Sequence, residues 1–380
     1  MQPFDFQLRP RIVFGAGVIE QLGPLAVDLG ARTVLVVSDP GVVKAGHFGT
    51  GLLSLEAAGL VVHSFHDFTE NPTTDFIDAG VEVARRVKPD LIVGLGGGSS
   101  MDCAKGINFV YSCGGEIKDY WGVGKATADM LPMIAVPTTS GTGSEAQSFA
   151  LISDAETHVK MACGDPRAAC AVALLDPALT LTQPYAVTAL TGIDALSHAL
   201  ETHVTTRRNA VSSTFSRQAF RMIAGNLARV LEVGDDLEAR GEMQFGACLA
   251  GIAIETSMLG AAHATANPLT ARFGITHGQA VGLMLPHVVL FNGRDYPELY
   301  AELLAEIDPG ESQHDAPQQI AQRVTELVGK AGLKTKLSEL EIPRDALPQL
   351  AEDATQQWTG TFNPIPVNAE NLLALYQAAY

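Results

Sequence analysis

Along the first half of the chain, short unbroken apolar runs alternate with segments of helical periodicity. Thr33 to Ser38 (TVLVVS), Leu60 to Phe65 (LVVHSF), Leu91 to Gly94 (LIVG) and Met133 to Val136 (MIAV) predict strands of a parallel sheet covered on both faces. Between them Phe76, Ile77, Gly80, Val81 and Ala84 recur at helical spacing, giving the β-α-β alternation of a doubly wound, Rossmann-like domain. Beyond Pro184 the strand-like runs vanish and long helical patterns take over, such as Ile320, Val324, Leu327, Val328 and Ala331 on one face. The expected architecture is therefore α/β plus all-α: an α/β domain over residues 1–182 and a helical domain over 183–380. The weakly polar stretch Gly246 to Ala266 is interrupted by Glu255 and rich in small residues, so it predicts one buried helix and no membrane span.

Length and composition narrow the choice of class. A chain of 380 residues exceeds the usual size of one domain, and 47% hydrophobic with 18% charged residues excludes a disordered chain. Against 42 Asp and Glu stand only 25 Lys and Arg, a formal net charge of −17 that would repel nucleic acid and anionic membrane surfaces. Five cysteines leave one unpaired in any full disulfide scheme and form no C-x-x-C pair, which fits a reducing cytoplasm. MQPFDFQLRP lacks a basic segment followed by an apolar core and does not read as a secretory signal.

The run LIVG leads into Gly96-Gly97-Gly98-Ser99-Ser100 and then into a helix-like segment. Glycines let backbone N–H groups approach a pyrophosphate, and the helix adds its positive N-terminal end. The G-x-G-x-x-G spacing is missing, and the same residues also read as a tight turn with Ser99 as N-cap and Asp102 closing a capping box. Asp39, at the end of TVLVVS, is placed to accept both ribose hydroxyls of an adenosine and to repel a 2′-phosphate, favouring NAD over NADP. Asp39-Pro40-Gly41 also reads as a plain turn signal. After MIAV comes Pro137-Thr138-Thr139-Ser140-Gly141-Thr142-Gly143-Ser144-Glu145, whose hydroxyls suit a nicotinamide, its ribose or a phosphate.

Asp194 and His198 stand four residues apart in the helical segment GIDALSHALE, presenting a carboxylate and an imidazole on one face. His263 and His277 bracket a stretch in which Pro268 and Gly274 could turn the chain back. One carboxylate and three imidazoles suit Zn(II) or Fe(II) alike. His203 and His287 read as hydrogen-bonded core residues; His47, His63, His66, His158 and His314 read as structural or surface residues; Cys163 and Cys170 read as inert core thiols.

Together these segments, with Asn71-Pro72-Thr73, Lys105, Leu285-Pro286-His287 and the late GLKTKLSELEIP, resemble the iron-containing (group III) alcohol dehydrogenases from Arg11 to the C-terminus. The resemblance implies a dehydroquinate synthase-like fold: an N-terminal NAD(P)-binding domain, an all-helical second domain, and a divalent metal in the cleft between them. It implies Asp194, His198, His263 and His277 as metal ligands and, through the metal, as the catalytic set. Gly97, Gly98 and Ser99 would hold the pyrophosphate, Thr138 and Thr139 would line the cofactor, and Lys160 would reach the nicotinamide ribose. Asp39, Asn71, Asp102 and Thr142 complete the implied cofactor set. Many members carry a His four residues after the third ligand; here Asn267 stands there, without a titratable group for substrate binding or proton passage.

The expected activity is hydride transfer between a small alcohol and NAD, the metal acting as a Lewis acid on the alcohol oxygen. A homodimer or larger homo-oligomer is implied by the same resemblance. A polyol dehydrogenase and a dehydroquinate synthase-like lyase share the scaffold; a lyase would need Lys and Arg around the cleft, where the ligand segments offer chiefly Arg207, Arg208 and Arg272. A non-catalytic binding or assembly protein would have no use for a cofactor cradle beside an intact ligand set.

Overall fold

A computed structural model describes residues 4–157, 159–310 and 314–380; His158 lies outside them. The chain divides into two compact units. One comprises Gln7–Thr139 and Gly143–Gln183; the other comprises Pro184–Tyr380 together with Ser140–Thr142 and the described residues up to Phe6. The hydroxyl-rich loop after MIAV, assigned above as a whole to the first domain, is thus divided between the two units.

The α/β unit contains β1 (Arg11–Phe14), α1 (Leu22–Asp28), β2 (Thr33–Ser38), α2 (Pro40–Lys44), α3 (His47–Ala57), β3 (Val61–Phe65), α4 (Thr74–Val87), β4 (Leu91–Gly96), α5 (Gly98–Cys113), β5 (Gly122–Val123), β6 (Met133–Pro137), β7 (Phe149–Ser153), β8 (Lys160–Gly164) and β9 (Val172–Leu175). Six strands form a parallel sheet in the order β1-β9-β6-β4-β2-β3. Successive residues of β2 serve opposite faces: Leu35 and Val37 join one apolar core, and Val34 and Val36 the other. Each such buried side chain contributes about 1.5–3 kcal/mol. That demand on both faces is why the strand carries no polar alternation.

Strand order reverses at β2, which has β3 on one side and β4 on the other. Crevices at the carboxyl ends of strands flanking such a reversal are where doubly wound sheets take ligands. Asp39 follows β2 there, and Gly97 follows β4.

The four apolar runs became β2, β3, β4 and β6. The edge strand β1, its neighbour β9 and a small second sheet, β5-β8-β7, were not anticipated. β1 is a four-residue edge strand without a fully buried position, and β9 lies in an Ala- and Leu-rich run that reads equally well as helix.

The second unit is built from α6 (Tyr185–Val204), α7 (Ala210–Glu232), α8 (Leu237–Thr256), α9 (Ala261–Phe273), α10 (His277–Gly293), α11 (Pro297–Ile307), α12 (Ala316–Lys330), α13 (Leu347–Thr355) and α14 (Ala369–Ala378), with short 3-10 turns. The stretch Gly246 to Ala266 is not one helix. α8 ends at Thr256, Met258 takes a positive φ of 129°, and α9 starts at Ala261 with a bend of 102° between the helix axes. No single helix among the described residues is long and apolar enough to cross a membrane.

α10 lies close against α6 because Gly278 has no side chain. A Cβ there would sit 2.3 Å from the Leu190 carbonyl oxygen. Any larger residue would push the two backbones apart, and with them His277 from Asp194.

Candidate functional site

Three helices converge in the second unit to bring four side chains together. Asp194 and His198 share one face of α6, His263 is the third residue of α9, and His277 opens α10. The bend between α8 and α9 aims His263 at α6. Gly274, left-handed at φ +64°, ends α9 and lets the chain reach His277 within three residues.

Asp194 Oδ1 is the centre of the cluster. His198 Nε2 lies 3.4 Å away, and His263 Nε2 and His277 Nε2 each lie 3.6 Å away. The donor atoms of Asp194, His263 and His277 fall within 4.8 Å of one another, and the His198 ring stacks on that of His263 with centroids 5.0 Å apart. Asp194, His198 and His263 are buried, whereas the His277 side chain is 34% exposed, so the site is closed on one side and open on the other. Asp194 Oδ1 and His263 Nε2 are buried and have no hydrogen-bond partner within 3.5 Å among the described residues.

These residues fit a divalent cation. Unpartnered buried polar atoms cost free energy, and a shared ion removes that cost. Donors bound tetrahedrally at about 2.0–2.2 Å stand roughly 3.3–3.6 Å apart, the spacing seen around Asp194 Oδ1. For the carboxylate, electrostatics agree. Burial by itself would raise the Asp194 carboxyl, but the imidazoles of His198, His263 and His277 reverse this and hold it below the usual carboxylate range. Burial lowers His198, with Asp194 offsetting only part. Burial also acts downward on His263, yet Glu201 and Asp194 outweigh it and lift the ring to about 9.

Glu201 went unnoticed in the sequence. It is buried on α6 seven residues after Asp194, and its carboxylate meets His263 Nδ1 and accepts from Ala262 N at 2.7 Å. The i, i+4, i+7 spacing of Asp194, His198 and Glu201 was the available signal.

In the α/β unit, most of the expected cofactor residues follow β2, β4 and β6. Gly97 is the N-cap of α5 and no side chain caps the helix. The capping box of Ser99 and Asp102 does not form. Ser99 Oγ instead accepts from Asn71 N at 3.1 Å, while Asp102 accepts from Ser144 Oγ at 2.8 Å. The start of α5 is thereby left open, as an anion-binding terminus requires. Burial raises the Asp102 carboxyl, with Lys105 and Ser144 opposing. Gly96, at φ +151°, has no room for a side chain, since a Cβ would stand 2.3 Å from Ser100 Oγ and 2.9 Å from Asp39 Oδ2.

Asp39 works both as a turn residue and as a neighbour of the glycine loop. Its Oδ1 accepts from Gly41 N at 2.9 Å and Val42 N at 3.1 Å, capping α2, and its Oδ2 accepts from Ser100 Oγ at 2.9 Å. Lys160 Nζ lies 3.4 Å from Asn71 Oδ1, so these two expected residues meet. Thr138 N donates to Gly96 O at 3.0 Å, and Thr139 faces Gly97. Thr142 belongs with Ser140 and Gly141 to the helical unit. Lys105, left without a role above, is fully buried and donates to Ser144 O, Ser144 Oγ, Gln147 O and Phe149 O at 2.6–3.0 Å, pinning the loop that follows β6.

The remaining expectations sort clearly. Asn267 follows His263 by one turn of α9, and its Nδ2 donates to Gln357 Oε1 at 3.0 Å. His203 is held by Ser216 Oγ at 3.0 Å and lies 3.2 Å from Glu302, a core role. Burial pushes the Cys163 thiol up to about 12 and the Cys170 thiol to about 11, so neither is a thiolate near neutral pH.

Comparison with known proteins matches residues 9–177 to the iron-containing alcohol dehydrogenase model and residues 188–380 to the C-terminal model of the same family. The 1,3-propanediol dehydrogenase of Klebsiella pneumoniae is 34% identical over 382 residues, covering 99% of each chain. The NAD-dependent methanol dehydrogenase of Bacillus methanolicus is 31% identical over 378 residues, again covering 99% of each. A crystal structure of 1,3-propanediol oxidoreductase superposes with a TM-score of 0.96 at 33% identity, covering 100% of both chains. The chain belongs to the iron-containing alcohol dehydrogenase family.

Proposed function

We propose that this oxidoreductase transfers hydride between a small alcohol and NAD, reducing the matching aldehyde in the other direction, with Asp194, His198, His263 and His277 holding Fe(II) or Zn(II). The carrying observation is the Asp194 oxygen with three imidazole nitrogens 3.4–3.6 Å away, that oxygen and His263 Nε2 being buried with no hydrogen-bond partner within 3.5 Å among the described residues. When bound, the cation supplies Lewis acidity to an alcohol or carbonyl oxygen, and NAD supplies the hydride acceptor. Asp194 contributes the anionic donor, and the half-exposed His277 side leaves room for a substrate oxygen. Gly97, Gly98 and Ser99 bind the pyrophosphate through the uncapped start of α5. Asn71, Lys160, Thr138, Thr139 and Thr142 orient the nicotinamide half, Asp102 fixes the loop through Ser144, and Asp39 disfavours a 2′-phosphate.

Asn267 is half-buried and bonded to Gln357. A carboxamide cannot exchange a proton near neutral pH, so the alcohol proton leaves through hydroxyls or water, and Asn267 contributes hydrogen bonds to substrate instead. Relatives named for 1,3-propanediol and methanol make short alcohols and diols the first compounds to test. The lyase reading is weaker: Arg208 is paired with Glu302 and Arg272 with Asp353, and Arg207 stacks on Phe362, which leaves these arginines committed. A cytoplasmic homo-oligomer without nucleic-acid or membrane partners completes the proposal, in keeping with the charge of −17.

Metal analysis of the purified protein, combined with an NAD-linked screen of C2 to C6 alcohols, diols and aldehydes, tests this reading. It predicts about one divalent ion per chain and metal-dependent NADH formation. Undiminished turnover after complete chelation would refute it.

A further inference from the structure

We propose that Glu201 is the positioning residue of the metal centre, fixing which ring nitrogen of His263 faces the ion; the inference rests on the ligand set proposed above. An imidazole that gives one nitrogen to a cation must carry its proton on the other, and what that second nitrogen meets decides the choice. Glu201 Oε2 is in hydrogen-bond contact with His263 Nδ1, and the same side chain accepts from two backbone amides, the behaviour of an acceptor. Once a cation displaces the proton from Nε2, His263 keeps the one on Nδ1 and directs Nε2 toward Asp194, 3.6 Å away.

The other carboxylate oxygen fixes the backbone that carries the ring. Glu201 Oε1 accepts from Gly260 N at 3.2 Å and from Ala262 N at 2.7 Å, two of the amides that open α9. Asn363 Oδ1 takes the amide between them, Ala261 N, at 3.3 Å. The helix start is thus capped from outside its own segment, with a negative charge where the helix dipole favours one. His263 is the residue next to these amides. Helix entry and ring tautomer are governed by one side chain, which stands on the same helix as Asp194 and His198.

This arrangement distinguishes a carboxylate from its amide isostere. In Glu201→Gln the oxygen must stay on the two amides, because a carboxamide NH2 there would face two other donors. The NH2 then faces His263 Nδ1, favouring the tautomer with its proton on Nε2, the nitrogen the ion needs. Packing is unchanged, so a merely structural role would survive the substitution.

Zn(II) affinity of the full-length apoprotein, measured by chelator competition, is predicted to fall about 10–100-fold in Glu201→Gln, with near-UV circular dichroism unchanged. In the zinc-loaded wild type, 15N NMR should show His263, assigned by loss of its signal in His263→Gln, protonated at Nδ1. Equal affinity in the variant, or a wild-type His263 protonated at Nε2, would overturn the inference; the second readout does not depend on the variant folding. A wild type that takes up no Zn(II) or Fe(II) would instead defeat the ligand-set reading itself, and this inference with it.

Discussion

The proposed metal centre and the proposed dinucleotide cradle use the chain in opposite ways. The proposed metal centre consists of side chains, Asp194, His263 and His277 with donor atoms within 4.8 Å of one another and His198 beside them, backed by Glu201, on helices of which α10 approaches α6 closely because Gly278 has no side chain. The cradle consists largely of backbone: an uncapped helix start after β4, with side chains such as Asp39, Asp102 and Lys105 serving to hold loops in place. A site made of side chains is lost by truncation, whereas a site made of backbone is lost by addition. Substitutions can therefore separate the two.

The largest expected effect is truncation of a donor. His263→Ala or His277→Ala should remove bound metal and lower turnover by at least about a thousandfold, since Lewis acidity is worth several kcal/mol. Binding of NADH, followed by its fluorescence, should persist. Loss of both functions together would break the comparison. Next comes addition at the cradle. Gly96→Ala forces a Cβ against Ser100 and Asp39 at a backbone angle that L-residues rarely adopt. It should abolish the NADH-induced rise in melting temperature while metal content stays at the wild-type level, with a stability cost of about 1–3 kcal/mol.

Smaller effects sharpen the picture. Asp39→Ala should narrow the preference for NAD over NADP in kcat/KM, and the lost cap on α2 should cost about 1 kcal/mol; an unchanged ratio would reduce Asp39 to a turn residue. Asn267→His introduces a group that titrates near neutral pH one turn from His263. The pH profile of kcat should gain a new inflection if the position lies on a proton route, and superimposable profiles would show that it does not.

How far the sequence could be read follows the same division. β2, β4 and β6 were visible because strands buried on both faces must be continuously apolar, and the glycine loop was visible because its close contacts exclude side chains. β7 and β8 escaped notice: FALIS and KMACG form a small hairpin with partly exposed positions and no long β-branched run. Asp194 and His198 declared themselves by helical spacing, but nothing local links them to His263 and His277. That convergence depends on the bend after Thr256, which an apolar TSMLG segment does not advertise. The sequence joined the two pairs through a turn at Pro268 and Gly274, and family resemblance supported the same set. Glu201 lay on the same helical face yet passed as an ordinary acidic residue, because its partners are backbone amides 59 and 61 positions away.

The central claim is that Asp194 and three imidazoles share one ion. Anomalous diffraction from crystals of the metal-loaded protein, collected at the iron and zinc edges, addresses it directly. A single peak within about 2.0–2.3 Å of Asp194 and of the Nε2 atoms of His198, His263 and His277 is the predicted result. A fully occupied metal peak elsewhere in the chain, with these four side chains uncoordinated, would contradict it.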